Sequence, residues 1–350
     1  MTGHPDLSSA RSSADQPHRV LSLLDAALNA RAELFDSGHP GAFRLFSGFY
    51  EGFPHLVIDI YSRTLVIYNY ADNPAVLLPI IQVIKPYLLE RYAWINTIIL
   101  KTRSTSYAGE KRGIIIHGDT PDSCLKENNV WYALDLTINQ DASFYPDARN
   151  LRLWVKENLD GRSVLNTFAY TGSLGVAAWA GGALKVVHLD LSRKYLNLAK
   201  SSYSLNGFTI DENDFLVGDF WVMTNRLKRS GALFECVLID PPFFANTGRG
   251  TVDLNQQSQR LINKIRPLVS HGGYLVVVNN ALYVSGKDFM NTLEELCSSG
   301  YLLLESLIPI PQDITGYPQT RVNSAPVDPA PFNHSTKIAI LRVFRKDKRI

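Results

Sequence analysis

Three aspartates carry neighbours that could do chemistry. Asp240 follows an apolar run, 237–239, and is followed by Pro241, Pro242, Phe243 and Phe244. A carboxylate oxygen and a proline carbonyl side by side accept hydrogen bonds from an amine or ring N–H and so fix the direction of the nitrogen lone pair. The prolines remove backbone donors that would compete for those acceptors. An aromatic ring next to them offers a stacking face for a planar group, such as a base taken out of its stack. Asp190 closes a second apolar run, 186–189, where a carboxylate suits the two vicinal hydroxyls of a ribose. Asp219 could accept from an adenine amino group with Phe220 against the ring, or cap a helix starting at Phe220. The segment 166–173 holds Asn166, Phe168, Tyr170, Thr171 and Gly172, with Gly175 just beyond. It has no full Gly-x-Gly-x-x-Gly and no lysine, so a nucleoside without phosphates fits it better than a pyrophosphate. Backbone N–H groups at the helix that follows can meet a carboxylate.

These residues need a frame. Four pieces, 164–172, 186–192, 217–220 and 237–244, each begin apolar and end polar or small. Buried parallel strands read this way as they leave a sheet. Helical patterns between them give β-α-β-α-β-α-β, an α/β doubly wound sheet with right-handed crossovers. Ligands of such sheets bind beyond the carboxyl ends of the strands, where all the residues above fall. A helix at 255–269, a fifth strand at 274–279 and a helix at 287–297 continue the pattern. Strands at 301–308 and 337–344 make an antiparallel edge and complete seven strands. Residues 17–138 read as an N-terminal helix (18–36) and a smaller α+β domain, with strands at 43–46, 56–61, 64–70, 97–101, 113–117 and 130–135 and a helix at 79–91. Residues 1–16, rich in Ser, Asp and Pro, read as a disordered tail. The domains are therefore 1–16, 17–138 and 139–350. The proline-containing segment 311–335 is long enough for a substrate lid or a mobile surface loop.

Composition narrows the class. A chain of 350 residues with 45% hydrophobic and 19% charged content is an ordinary globular protein with room for two domains. No apolar run is long enough to span a bilayer, and residues 1–16 lack a signal-like core. Cys124, Cys236 and Cys297 are too far apart for a disulfide framework or a zinc site, so no metal is expected and a reducing cytoplasm fits. A net charge of +2 is not that of a protein that coats nucleic acid, although a local basic groove is compatible with it. Arg149, Arg152 and Lys156 share one predicted helix. Lys101, Arg103, Lys111 and Arg112 cluster in the first half, and Arg345, Lys346, Lys348 and Arg349 near the end. Each group is a basic patch or simply a solvated face.

The ordered motifs resemble the class I S-adenosylmethionine-dependent methyltransferases, in particular the bacterial group that modifies bases of large-subunit ribosomal RNA. The resemblance rests on Phe168-Ala169-Tyr170-Thr171-Gly172, Leu189-Asp190-Leu191-Ser192, Leu205-Asn206-Gly207 and Asp240 to Phe244. Arg44-Leu45, Gly48 and Pro54 to Tyr61 match the small domain found in the same group. The residues ahead of Ala42 are too few for the RNA-binding PUA domain that many members carry. At 139–149 the family has Gly-Gln-Lys-Thr-Gly-x-x-x-Asp-x-Arg. Here Gln140, Asp147 and Arg149 match, while Asp141-Ala142-Ser143 replaces Lys-Thr-Gly, and Asp147 also suits a helix cap.

The resemblance implies S-adenosyl-L-methionine as cofactor, held by Asn166, Phe168, Tyr170, Thr171, Gly172, Asp190, Ser192, Asp219 and Phe220. It implies Asp240, Pro241 and Phe243 as catalytic residues, resembling the (Asn/Asp)-Pro-Pro-aromatic motif of amino-group methyltransferases. Substrate contacts fall to Arg149, Phe244, Asn279 and Asn280, the asparagine pair resembling guanine-N7-methylating relatives or else satisfying loop backbone. The expected activity is N-methylation of a nucleobase, guanine, in rRNA. Two other readings are an N-methyltransferase of a small molecule or protein amide and a catalytically silent cofactor-binding module. Cytosine-C5 methylation needs a cysteine thiolate. The relatives that do it carry that cysteine after the fifth strand, where this chain has Val278-Asn279-Asn280-Ala281.

Overall fold

The computed structural model describes residues 7–247, 250–254 and 257–348. They form two compact units. The first comprises residues up to Leu125 with 135–142 and 312–324; the second comprises 126–134, 143–311 and the remainder from Ala325. The units therefore interleave along the chain, where the sequence pattern placed one boundary after residue 138.

The first unit opens with α1 (Leu7–Ala30), which begins eleven residues before His18, so part of the expected tail is helical. Pro17 lies inside it, costing a backbone bond without ending the helix. Residues 1–6 lie outside the described residues. Then come β1 (Ala42–Ser47), β2 (Leu56–Tyr61), β3 (Thr64–Asn69), α2 (Leu78–Arg91), β4 (Thr97–Thr102), the short α3 (Ala108–Arg112) and β5 (Ile114–His117). The sheet order is β1-β2-β3-β4-β5. β3 and β4, joined through α2, are parallel, and the other pairs are antiparallel. Alternation sets the two faces. Leu56, Ile58 and Ile60 of β2 and Leu65 and Ile67 of β3 join one core with Leu24 and Leu28 of α1 and Ile80 and Ile84 of α2. The intervening residues are mixed, with Val57 and Val66 among Asp59, Tyr61, Thr64 and Tyr68. Arg44 pairs with Asp59 at 2.7 Å. Lys101 is buried, donating to the carbonyls of Asn139 and Asp141 at 2.9 and 2.8 Å, and burial pushes its ammonium down to about 8. It therefore cannot join Arg103 and Lys111 in a solvated basic patch.

Part of the segment 311–335, expected to be a lid or a mobile surface loop, is pinned inside this unit. Asp313 accepts from the Arg44 amide at 2.9 Å, Ser47 Oγ donates to the Ile314 carbonyl at 2.5 Å, and the Val322 amide donates to the Tyr50 carbonyl at 2.8 Å. Beneath it lies a buried ion pair. Arg31 and Glu51 meet twice, at 2.9 and 3.0 Å, and are 0% and 1% exposed. Breaking such a pair from one side strands a buried charge. Arg31→Met is expected to destabilise the protein by about 3–5 kcal/mol in denaturant unfolding, and Arg31→Met with Glu51→Leu to recover much of that loss.

The second unit starts at Lys126, inside β6 (Cys124–Glu127), which pairs with β7 (Val130–Ala133) in a two-stranded ribbon. It continues through α4 (Arg149–Asn158), β8 (Ser163–Thr167), α5 (Ser173–Ala180), β9 (Lys185–Asp190), α6 (Arg193–Leu205), β10 (Phe215–Val217), α7 (Phe220–Arg229) and β11 (Phe234–Ile239). A hairpin, β12 (Phe244–Thr247) and β13 (Gly250–Asp253), precedes α8 (Ser258–Ile265), β14 (Val269–Asn279), α9 (Gly286–Cys297), β15 (Leu302–Ile308) and β16 (Lys337–Val343). The seven strands run β10-β9-β8-β11-β14-β16-β15, with β16 antiparallel to both neighbours. Leu165, Val237, Ile239, Leu275 and Val277 share a core with Leu261 and Ile265 of α8 and Phe289 and Leu293 of α9. The order reverses between β8 and β11, so the crevice lies beyond their carboxyl ends.

Three details differ from the sequence pattern. A hairpin that the sequence pattern did not show precedes the helix expected over 255–269, which runs Ser258–Ile265, and residues 255 and 256 lie outside the described residues. β14 runs through Gly272-Gly273, because a register shift between Phe234 and Cys236 of β11 absorbs the extra residues. Nearer the end of the segment expected to be a lid or a mobile loop, Asn333 is bonded both ways to Ile310 at 2.9 and 2.8 Å.

Candidate active site

The first loop turns sharply after β8. Phe168 and Tyr170 have φ of 53° and 50°, and Gly172 has φ of 77°. Three left-handed residues in five is a conformation that surrounding bonds must hold. The Ala169 amide donates to the Leu189 carbonyl at 3.0 Å, and Thr171 Oγ1 to the Ser143 carbonyl at 2.5 Å. Gly172 is required twice over: besides its φ, a Cβ there would lie 2.5 Å from that of Ala199.

Asp190 ties this loop to the next. The amides of Tyr170 and Ser192 donate to its two oxygens, each at 2.8 Å. Burial pushes its carboxyl above the usual range, and those amides pull it back. Ser192 stands at the cap position of α6 without a capping bond from its hydroxyl, so the bonded carboxylate here belongs to Asp190. Asp219 Oδ1 accepts from the amides of Trp221 and Val222, at 2.9 and 3.1 Å, and thus caps α7. Phe220 is buried and stacks on the half-buried Phe168 at 4.6 Å. Asn166 is buried as well. Its amide nitrogen lies 3.4 Å from Nδ1 of His188, which stacks on Phe215 and is pushed down to about 3 by burial. Asn166 therefore has its side chain turned into the core against β9. His188, the one polar residue inside an apolar strand, is a support that the sequence reading passed over.

β11 pairs with β8 so that Ile239 lies opposite Thr167. Asp240 therefore leaves the sheet next to Phe168. Burial pushes its carboxyl up to about 7, and the charge of Asp147 adds to this. Ala148 stands at the cap position of α4, and Asp147 before it accepts from Thr336 Oγ1 at 3.3 Å. Phe243 and Phe244 are 42% and 57% exposed. The asparagine pair splits. Asn279 is buried, donating to Ser258 Oγ and accepting from the Ala281 amide, both at 3.0 Å, and these bonds hold the loop. Asn280 donates to the Pro241 carbonyl at 3.3 Å, and its Oδ1 is buried without a partner.

Arg149 lies 3.7 Å from Glu127, the residue that Arg152 grips at 2.6 and 2.9 Å. Arg152 is buried with its guanidinium 3.8 Å from the centre of the Phe144 ring. The face of α4 is thus not a free basic stripe. Arg349 lies outside the described residues. Cys236 is buried mid-strand with its thiol pushed well up, and burial also raises Cys124 and Cys297. None has the low pKa of a nucleophilic thiolate.

A family model described as S-adenosylmethionine-dependent methyltransferase matches residues 115–308, more than half of the chain. The chain belongs to that family. A Bacillus subtilis protein provisionally named ribosomal RNA large subunit methyltransferase YwbD is 26% identical over 313 residues, covering 85% of this chain and 77% of that protein. Ribosomal RNA large subunit methyltransferase I of Aeromonas salmonicida is 29% identical over 229 residues, 63% of this chain. The match spans only 58% of that relative's length. A solved structure of a provisionally named methyltransferase complexed with SAH has a TM-score of 0.81 at 20% identity, covering 93% of this chain and 82% of that one. The likeness is one of fold. No helix among the described residues is long and apolar enough to cross a membrane.

As a member of this methyltransferase family, the chain uses S-adenosyl-L-methionine, which supplies an electrophilic methyl group when bound. The residues fit it. The amides on Asp190 leave its oxygens acceptor capacity for ribose hydroxyls. The amides at the start of α5, after Gly172, could meet the amino-acid carboxylate. Phe168, backed by Phe220, could offer a ring to the adenine.

Proposed function

We propose that this methyltransferase N-methylates a nucleobase, guanine, in ribosomal RNA. The observation that carries the reading is the set at the end of β11: Asp240, the Pro241 carbonyl braced by Asn280, and an exposed Phe243 beside them, one strand from the first loop. Asp240 and the Pro241 carbonyl accept from the N–H of the incoming nitrogen, and Phe243 stacks on the base. As the nitrogen lone pair would form its new bond to the methyl carbon, the carbon–sulfur bond would break with its electron pair left on the sulfur, and positive charge would grow on the nitrogen. Asp240, held near neutrality, takes the departing proton. Holding the nitrogen in line supplies much of the rate. Asp190, Phe168, Tyr170 and Gly172 are the proposed cofactor residues, with Thr171, Ser192, Asp219 and Phe220 shaping the loops around them.

The RNA assignment draws support from the relatives named for the large ribosomal subunit. It is tested by offering the purified protein labelled cofactor with protein-free 23S rRNA, with a protein lysate and with a small-molecule extract, all from cells lacking its gene. The expected result is label in RNA. Label confined to protein or small molecules would overturn the rRNA reading.

A further inference from the structure

β14 and α9 are joined by a turn whose construction exceeds what a connection needs. At its base Ala281 is buried and held from both sides: its amide donates to Asn279 Oδ1 and its carbonyl accepts from Lys337 Nζ, each at 3.0 Å. Lys337 is itself buried and also donates to the Ser335 carbonyl. Burial pushes its ammonium down to about 8, so placing it there costs stability. The Val284 amide closes the turn on the Ala281 carbonyl at 3.4 Å, and Val284 packs on the core. The two residues between are turned out. Tyr283 is 74% exposed, and Leu282 is exposed beside it.

A connection alone would carry polar residues at such a tip. Here a buried amide and a buried ammonium fix the base of a turn that displays a tyrosine. The preceding residue, Asn280, reaches the Pro241 carbonyl, so this turn and the loop carrying Phe243 and Phe244 lie side by side. Exposed aromatics gathered in this way mark a binding surface. Continuity with the proposed base site selects the occupant. Tyrosine faces stack on unpaired bases, and a base drawn out for reaction has neighbours on the same strand.

We propose that Tyr283, with Leu282, stacks on a nucleotide flanking the methylated base and so holds an unpaired RNA segment across the active site. The inference rests on the nucleobase reading above. Its test compares wild type, Tyr283→Ala and Tyr283→Phe on an rRNA fragment, with cofactor affinity, melting temperature and molecular mass measured alongside. In Tyr283→Ala the KM for the fragment is expected to rise by about five- to hundredfold, the effect of losing one stacked base. The kcat, cofactor affinity and melting temperature should hold, and Tyr283→Phe should behave like wild type. An unchanged KM in Tyr283→Ala, with wild type active on the fragment, would overturn the inference while sparing the nucleobase reading. A fall in molecular mass in Tyr283→Ala would overturn it in favour of self-association. Inactivity of wild type on RNA would overturn both.

Discussion

Asp240→Asn is expected to lower kcat by about a hundred- to ten-thousandfold while leaving cofactor binding intact in calorimetry. The amide keeps one acceptor but cannot take the proton. The pH profile follows from the carboxyl that burial and Asp147 hold at about 7. Only the ionised form can take the proton, so wild-type kcat/KM should rise with pH through about 7 and then level, and the variant should lack that limb. Stability carries the opposite sign. The folded-state value lies above the unfolded one, so the folded protein holds this proton more tightly. Its contribution is fully present below the unfolded pKa of about 4 and is lost as pH rises through about 7. Asp240→Asn should therefore melt higher than wild type at pH 8, with the difference shrinking toward pH 4. A variant that is inactive and also less stable at pH 8 would show that Asp240 acts by holding the loop.

Asp190→Ala is expected to weaken cofactor binding by about a hundredfold or more, since hydrogen bonds to a charged group contribute about 1.5–3 kcal/mol each. The effect is compounded because the Tyr170 and Ser192 amides lose their acceptor and the first loop its brace. Titration calorimetry with the cofactor measures it, and Asp190→Asn should fall between the two. Near-wild-type affinity in Asp190→Ala would remove this carboxylate from the site.

The parallel strands were legible because both their faces are covered. Sequences such as 237–239 are then apolar throughout and turn polar only at the sheet end, where function sits. What sequence could not supply was partners distant along the chain. Arg152 counts as a surface charge until Glu127 is seen against it, 25 residues away. The segment 312–324 looks like a free loop because its partners, Arg31, Arg44 and Ser47, lie more than 250 residues earlier. Asn279 and Asn280 are alike in sequence, and the alternation at a strand end sends one inward and the other toward Pro241. The hairpin of β12 and β13 was missed because its strands pair only with each other and bury little, leaving weak alternation. Asp219 was readable both ways, and the contacts described for it are those of a cap.

The most direct test of the account is the identity of the product. RNA methylated by wild type and by Asp240→Asn would be digested to nucleosides and resolved by mass spectrometry. The account predicts a guanosine methylated on nitrogen in the wild-type digest, and its loss in the variant. Methyl carried on carbon 5 of cytidine would contradict it, since that reaction needs a cysteine nucleophile that this site does not provide.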